Sequence, residues 1–179
     1  MDAHRIGEES AMSEQPAPGA TAKPTLTHVD ETGAARMVDV SAKAVSTRTA
    51  RARGKVVVSA EVVELLRQRG LAKGDALAVA RIAGIMGAKK TPDLVPLCHP
   101  IGLTGVEVDL DVRDDGVEVS AVARTTDRTG VEMEALTAVM VASLALVDMV
   151  KAVDPAAVVT DVRVVEKTGG ASGDWRRPE

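Results

Sequence analysis

Aromatic side chains are nearly absent from this 179-residue chain, which has one tryptophan, Trp175, and neither phenylalanine nor tyrosine. Proteins that bind single-stranded RNA or DNA stack the bases on aromatic side chains, so this shortage argues against such a partner. The net charge of -4 also lacks the basic footprint of a nucleic-acid-binding protein. We therefore expect no nucleic-acid partner.

Cysteine and histidine are scarce as well. Cys98 is the one cysteine, which excludes an intramolecular disulfide and argues against a cysteine-based zinc site. Besides His99 the chain has only His4 and His28, so we expect no metal site. The N-terminus lacks a basic start followed by an apolar stretch, which predicts a cytoplasmic protein.

The length fits one domain, since roughly 100–200 residues make a typical one. Residues 1–25 contain three prolines and no hydrophobic periodicity, which predicts a disordered extension. We expect the ordered domain at 26–174 and a flexible tail at 175–179.

Hydrophobic patterns predict the order of helices and strands. Alternating or β-branched segments predict strands at 37–43, 48–59, 106–112, 117–123 and 158–165. Helical spacing predicts helices at 60–69, 76 to about 90, and 131–151. Three prolines in 91–100 predict a stiff loop without helix. Counted from about residue 45, this order predicts a ferredoxin-like α+β fold, with helices on one face of an antiparallel sheet.

The predicted helix at 131–151 carries ionisable groups only at its ends. Glu132 and Glu134 open it, and Asp148 and Lys151 close it. The uncharged run between them is shorter than the roughly 18–20 residues of a membrane span, so we expect a core helix and no membrane partner. Thr129 with Glu132 fits a capping box, which leaves Glu134 without a structural role.

Two interpretations of Asp148 and Lys151 remain open. At i, i+3 they form either a plain salt bridge worth a few tenths of a kcal/mol, or a partly desolvated acid–base pair with a movable pKa. Glu134 lies 14 residues from Asp148, or about 21 Å along a helix. Either the two ends have different roles, or a second subunit brings them together; we favour an oligomer with sites across an interface.

Two shorter motifs add candidate residues. Lys73-Gly-Asp75 is either a solvated loop in which Asp75 caps a helix or an anion site at that helix N-terminus. Prolines hold Leu97-Cys98-His99 in a fixed loop. A Cys98 nucleophile is disfavoured because adjacent residues seldom face each other, whereas His99 is a better ligand or acid–base candidate.

Seven motifs, taken together and in order, resemble one family, the molybdenum-cofactor biosynthesis protein C family of cyclic pyranopterin monophosphate synthases. They are Met37–Lys43, Lys73–Asp75, Ala80–Ile85, Leu97–Pro100, Thr129–Ala138, Asp148–Val153 and Glu166–Gly173. The chain departs from the family pattern at Val147, Val150 and Ala171. The last replaces a basic residue common in the family, which implies slightly weaker phosphate binding.

The resemblance implies a lyase that converts a 3′,8-cyclised dihydroguanosine triphosphate into cyclic pyranopterin monophosphate and diphosphate. It implies a homohexamer, built as a trimer of dimers, with no cofactor beyond Mg²⁺ accompanying the triphosphate. It also implies roles for ten residues. The catalytic residues would be Asp148, Lys151 and Lys73, and the substrate-binding residues would be Leu97, Cys98, His99, Met133, Glu134, Arg48 and Lys167.

Two other functions stay open on the residues alone. A non-catalytic nucleotide-binding module would use the same cationic residues and leave its ligand unchanged. A purely structural assembly protein would use Asp148–Lys151 only as a salt bridge, and replacing that pair by apolar residues would then be neutral or stabilising.

Overall fold

A computed structural model of the chain describes residues 28–30, 32–68 and 75–178. The predicted extension at 1–25 and Lys73 lie outside the described residues. Five strands are present, β1 (Ser46–Val57), β2 (Leu103–Arg113), β3 (Gly116–Asp127), β4 (Val158–Thr168) and β5 (Trp175–Arg176). Four helices accompany them, α1 (Ala60–Arg67), α2 (Ala76–Ala88), α3 (Thr91–Leu94) and α4 (Glu132–Val150).

The strands form one antiparallel sheet in the order β2-β3-β1-β4-β5. Along β1 the buried residues alternate with charged ones, so Ala50, Ala52 and Val56 face the core while Arg51 and Arg53 face away from it. The predicted hairpin between β2 and β3 is confirmed, with Arg113 paired to Gly116 across the turn. The α+β class with an antiparallel sheet is also confirmed.

Helix α4 is the centre of the core. Its residues Ala138, Val139, Ala142 and Leu146 are fully buried, and the helix packs against α2 and against β1, β3 and β4. Within the described part of the chain, α4 is the one helix long and apolar enough to cross a membrane by length and composition. Because half of it is buried against the sheet and α2, we interpret it as a core helix.

Helices α2 and α4 approach each other closely because α2 presents glycine at the crossing. A Cβ atom on Gly84 would lie 2.8 Å from the carbonyl oxygen of Ala138, and one on Gly87 would lie 2.7 Å from the Val141 side chain. Glycine in a helix costs about 1 kcal/mol relative to alanine. The close packing of α2 on α4 offsets that cost.

Three local predictions were wrong. Residues 37–43, all described, form no strand. The carbonyls of Val38 and Lys43 bind the side chains of His99 and Arg128 instead of a neighbouring strand, and the Val40 carbonyl accepts from the Lys43 amide in a turn. Thr91–Leu94 is a short helix rather than a loop, since Pro92 falls in its first turn, where no amide donor is needed. The capping box is not formed: α4 begins after Val131 without a side-chain cap.

The chain end also has structure. Within the segment predicted as a tail, Trp175 and Arg176 pair with Lys167 and Glu166 of β4. The predicted cap of α2 is confirmed, because the Asp75 carboxylate accepts a hydrogen bond from the Ala78 amide at 3.0 Å.

We predict that Gly84→Ala lowers the free energy of unfolding by about 1–2 kcal/mol, because overpacking at the crossing outweighs the better helix propensity of alanine. Urea unfolding measures the change. Gly102→Ala is the control, since nothing lies within 4 Å of a Cβ atom there. A Gly84→Ala variant at least as stable as the control would contradict the account of this crossing.

Candidate active site

A cavity of about 1040 Å³ lies beside the N-terminus of α4. Its walls come from β1, the end of β4, the 95–99 loop and the start of α4. The cavity brings together seven of the ten residues predicted for the site: Arg48, Leu97, Cys98, His99, Met133, Glu134 and Lys167. Asp148 and Lys151 do not line it.

Two cations enter the cavity from adjacent strands. Arg48 of β1 donates from Nε to the carbonyl oxygen of Asp127 at 3.0 Å, which orients its guanidinium group. Lys167 of β4 lies 3.2 Å from a carboxylate oxygen of Glu132 and 3.2 Å from the Ser172 hydroxyl. Such paired cations suit the oxygens of a phosphate group.

The turn after β4 keeps space for the arginine. Gly169 and Gly170 have φ angles of 82° and 83°, which favour glycine. Any side chain on Gly170 would collide with the Arg48 guanidinium group. The Gly169 amide donates to the Asp174 carboxylate at 2.9 Å, which fixes the turn. Glycine at 170 is therefore needed for the arginine to occupy its position.

The two carboxyl groups at the start of α4 lie in different surroundings. Glu132 is ion-paired with Lys167, whereas no described residue forms an ion pair with Glu134. Glu134 is only 3% exposed. Burial raises the pKa of its carboxyl group from 4.5 to about 7, and the charge of Glu132 adds to that rise. Glu134 is thus protonated in a large fraction of molecules at neutral pH and can donate a hydrogen bond or a proton.

The 97–99 loop contributes a thiol and an imidazole. Burial raises the pKa of the Cys98 thiol, with a further contribution from the charge of Glu134. Cys98 therefore favours the weakly nucleophilic thiol form, which agrees with the sequence argument. The His99 ring is oriented by a 2.8 Å hydrogen bond between Nε2 and the carbonyl oxygen of Val38.

Asp148 and Lys151 lie at the opposite end of α4. Their side chains are joined at 2.6 Å and are 60% and 59% exposed. The interpretation of Asp148 as partly desolvated is therefore wrong for the single chain, because the last turn buries Leu146 and Val150 and directs Asp148 to the other side. Along the helix the pair lies about 21 Å from Glu134.

Sequence reasoning assigned Glu132 to a helix cap, and the structure gives it an ion pair with Lys167 instead. No local pattern in the sequence could have indicated that contact, because it joins α4 to a strand more than thirty residues later. Within residues 28–30, 32–68 and 75–178, no three His, Cys, Asp or Glu side chains converge as metal ligands.

The fold and the cavity define an α+β protein with a cation-bearing site of a size that suits a nucleotide-like anion. Residues 37–170 match the MoaC family, and the chain belongs to that family. This confirms the resemblance drawn from the sequence motifs.

Relatives named cyclic pyranopterin monophosphate synthase include three bacterial proteins. One from Streptomyces avermitilis is 70% identical over 160 residues, covering 89% of this chain and 94% of its own. One from Streptomyces coelicolor is 72% identical over 152 residues, covering 85% and 89%. A third from Desulfitobacterium hafniense is 53% identical over 155 residues, covering 86% and 95%.

The buried carboxyl group predicts a pH-dependent stability. Because the pKa of Glu134 is about 7 when folded and near 4.5 when unfolded, its proton favours the folded state at low pH. That contribution, roughly 3 kcal/mol, is complete below pH 4.5 and is lost as pH rises to about 7. Urea unfolding at several pH values should show that the free energy of unfolding of the native chain falls between pH 4.5 and 7. Glu134→Gln should remove that part of the pH dependence. Parallel curves for the two proteins would contradict the assignment.

Proposed function

We propose that this chain is a cyclic pyranopterin monophosphate synthase, a lyase of molybdenum cofactor biosynthesis. Its substrate would be (8S)-3′,8-cyclo-7,8-dihydroguanosine 5′-triphosphate, and its products cyclic pyranopterin monophosphate and diphosphate. The observation that carries the proposal is the single cavity that gathers seven of the ten predicted residues in a member of the MoaC family. The printed names of the relatives support the same activity.

The charges at the cavity support this proposal. Formation of the cyclic phosphate expels diphosphate, and cations on the phosphoryl oxygens stabilise that charge. Arg48 and Lys167 would bind the triphosphate, while Leu97, Cys98, His99 and Met133 would contact the rings. Opening and closing rings requires proton transfers, and Glu134, whose raised pKa keeps a proton available inside the cavity, would serve as a donor. The proposal includes no resident cofactor, and Mg²⁺ would arrive with the triphosphate.

Asp148 and Lys151 fit the proposal as catalytic residues only if a second subunit completes the site, with Lys73 as a third catalytic residue. Exposed apolar side chains on the outer faces of α2 and α4 support subunit contact there. Ile82 and Met86, one turn apart on α2, are 59% and 62% exposed, and Leu144 of α4 is 66% exposed. Because α2 packs on α4, these side chains lie on neighbouring helices, and clustered apolar exposure of this kind supports an interaction surface. The proposed assembly is a homohexamer made as a trimer of dimers, in which an Asp148–Lys151 pair meets the cavity of a neighbour.

The strand arrangement and the cellular location belong to the same proposal. The order β2-β3-β1-β4 among the long strands supports a ferredoxin-like arrangement, with β5 as a short addition at the edge. A cytoplasmic location is supported by the nature of the substrate, because GTP derivatives are made inside the cell.

We predict that Asp148→Asn and Lys151→Ala each lower turnover by at least roughly 100-fold, because each removes a proton-transfer group. The assay incubates the protein with the cyclised triphosphate and detects cyclic pyranopterin monophosphate by mass. Size-exclusion chromatography checks that the oligomer persists.

Lys90 and Asp93 provide the matched control, because they form an exposed i, i+3 ion pair at 3.2 Å at the start of α3. Lys90→Ala and Asp93→Asn should leave turnover unchanged. Full turnover in the Asp148 variant would refute its catalytic role. A native protein that binds the substrate and returns it unaltered would instead favour a nucleotide-binding module.

A further inference from the structure

One wall of the cavity is a segment without helix or strand, residues 36–45, which we call the strap. Most of its residues are exposed, but Val38 and Val40 are half-buried and line the cavity together with Lys43. A segment with so little burial needs specific contacts to keep one position.

Two side chains of the domain bind backbone carbonyls of the strap. His99 Nε2 lies 2.8 Å from the carbonyl oxygen of Val38, and Arg128 donates from Nε to the carbonyl oxygen of Lys43 at 2.9 Å. Between these two points the strap is held as a turn, because the Lys43 amide donates to the Val40 carbonyl at 3.0 Å. The Ser41 amide donates to the Asp39 carboxylate at 2.8 Å.

Arg128 does not line the cavity, although Lys43 does. Arg128 lies in the connection from β3 to α4. It directly follows Asp127, whose carbonyl orients Arg48, and it precedes α4, which carries Glu132 and Glu134. Among the described residues, no carboxylate forms an ion pair with Lys43. Lys43 is therefore a third cationic residue that lines the cavity, together with Arg48 and Lys167.

We propose that Lys43 is a phosphate-binding residue of the site and that Arg128 is the positioning residue that holds it there through the strap. The proposal rests on the proposed function in one respect, that the ligand carries a triphosphate. Arg128 contributes to ligand affinity only by placing Lys43, so its effect requires Lys43 to be present.

Limited trypsin digestion tests, without any ligand, whether Arg128 keeps the strap in its position. Cleavage after Arg36, read by mass spectrometry, should be on the order of tenfold faster in Arg128→Ala, because a charged hydrogen bond that closes the strap is lost. Arg113→Ala is the control, since Arg113 lies at the turn between β2 and β3 and pairs with Asp111. Equal cleavage rates in the two variants would overturn the role of Arg128.

A double-mutant cycle tests the link to Lys43. Calorimetry with inorganic triphosphate should show that Arg128→Ala and Lys43→Met each weaken binding by on the order of tenfold. The double variant should bind no more weakly than Lys43→Met alone. Additive losses would mean that Arg128 acts on the ligand directly and would overturn the proposal. If the native protein failed to bind triphosphate, the phosphate role of Lys43 would fall together with the proposed function, while the digestion would still decide whether Arg128 holds the strap.

Discussion

The burial of α4 between the sheet and α2 is the constraint on which the rest of the structure depends. Ala138, Val139 and Ala142 are fully buried, and the small residues of α2 let the two helices approach closely. A packed helix of this length is rigid, so its two ends stay about 27 Å apart. The carboxyl groups at its start therefore cannot share a small ligand with Asp148 and Lys151 of the same chain.

The same burial gives the cavity its chemistry. Only one side of the first turn of α4 is buried. The Glu134 side chain is therefore shielded from water, whereas Glu132 forms an ion pair with Lys167. The site therefore holds a buried carboxyl group with a raised pKa, Glu134, next to a carboxyl group that forms an ion pair, Glu132. Strand pairing fixes the positions of the cations Arg48 on β1 and Lys167 on β4. Lys167 lies opposite Ala50, which is two residues from Arg48.

Much of the fold could be predicted from the sequence, because strict alternation and helical spacing are local signals. They predicted the order of the long strands and helices, and the motifs predicted the family. The strap was mistaken for a strand because a backbone carbonyl that binds His99 or Arg128 leaves no trace in the pattern of hydrophobic residues. The raised pKa of Glu134 and the ion pair of Glu132 also depend on contacts between distant segments. For Asp148 the apolar turns before it suggested burial, but that pattern does not reveal which side of the last turn faces the core.

In the proposed oligomer, each active site would combine the cavity of one subunit with the Asp148–Lys151 pair of another. Co-expression of Asp148→Asn and Lys167→Ala chains with different tags, followed by purification through both tags, yields mixed oligomers. The account predicts that these recover roughly a quarter of native turnover, because about one site in four then receives both intact halves. Mixed oligomers of Asp148→Asn with Lys151→Ala, which damage the same half, should recover none. Failure of the first mixture to exceed the second would contradict a site shared between subunits.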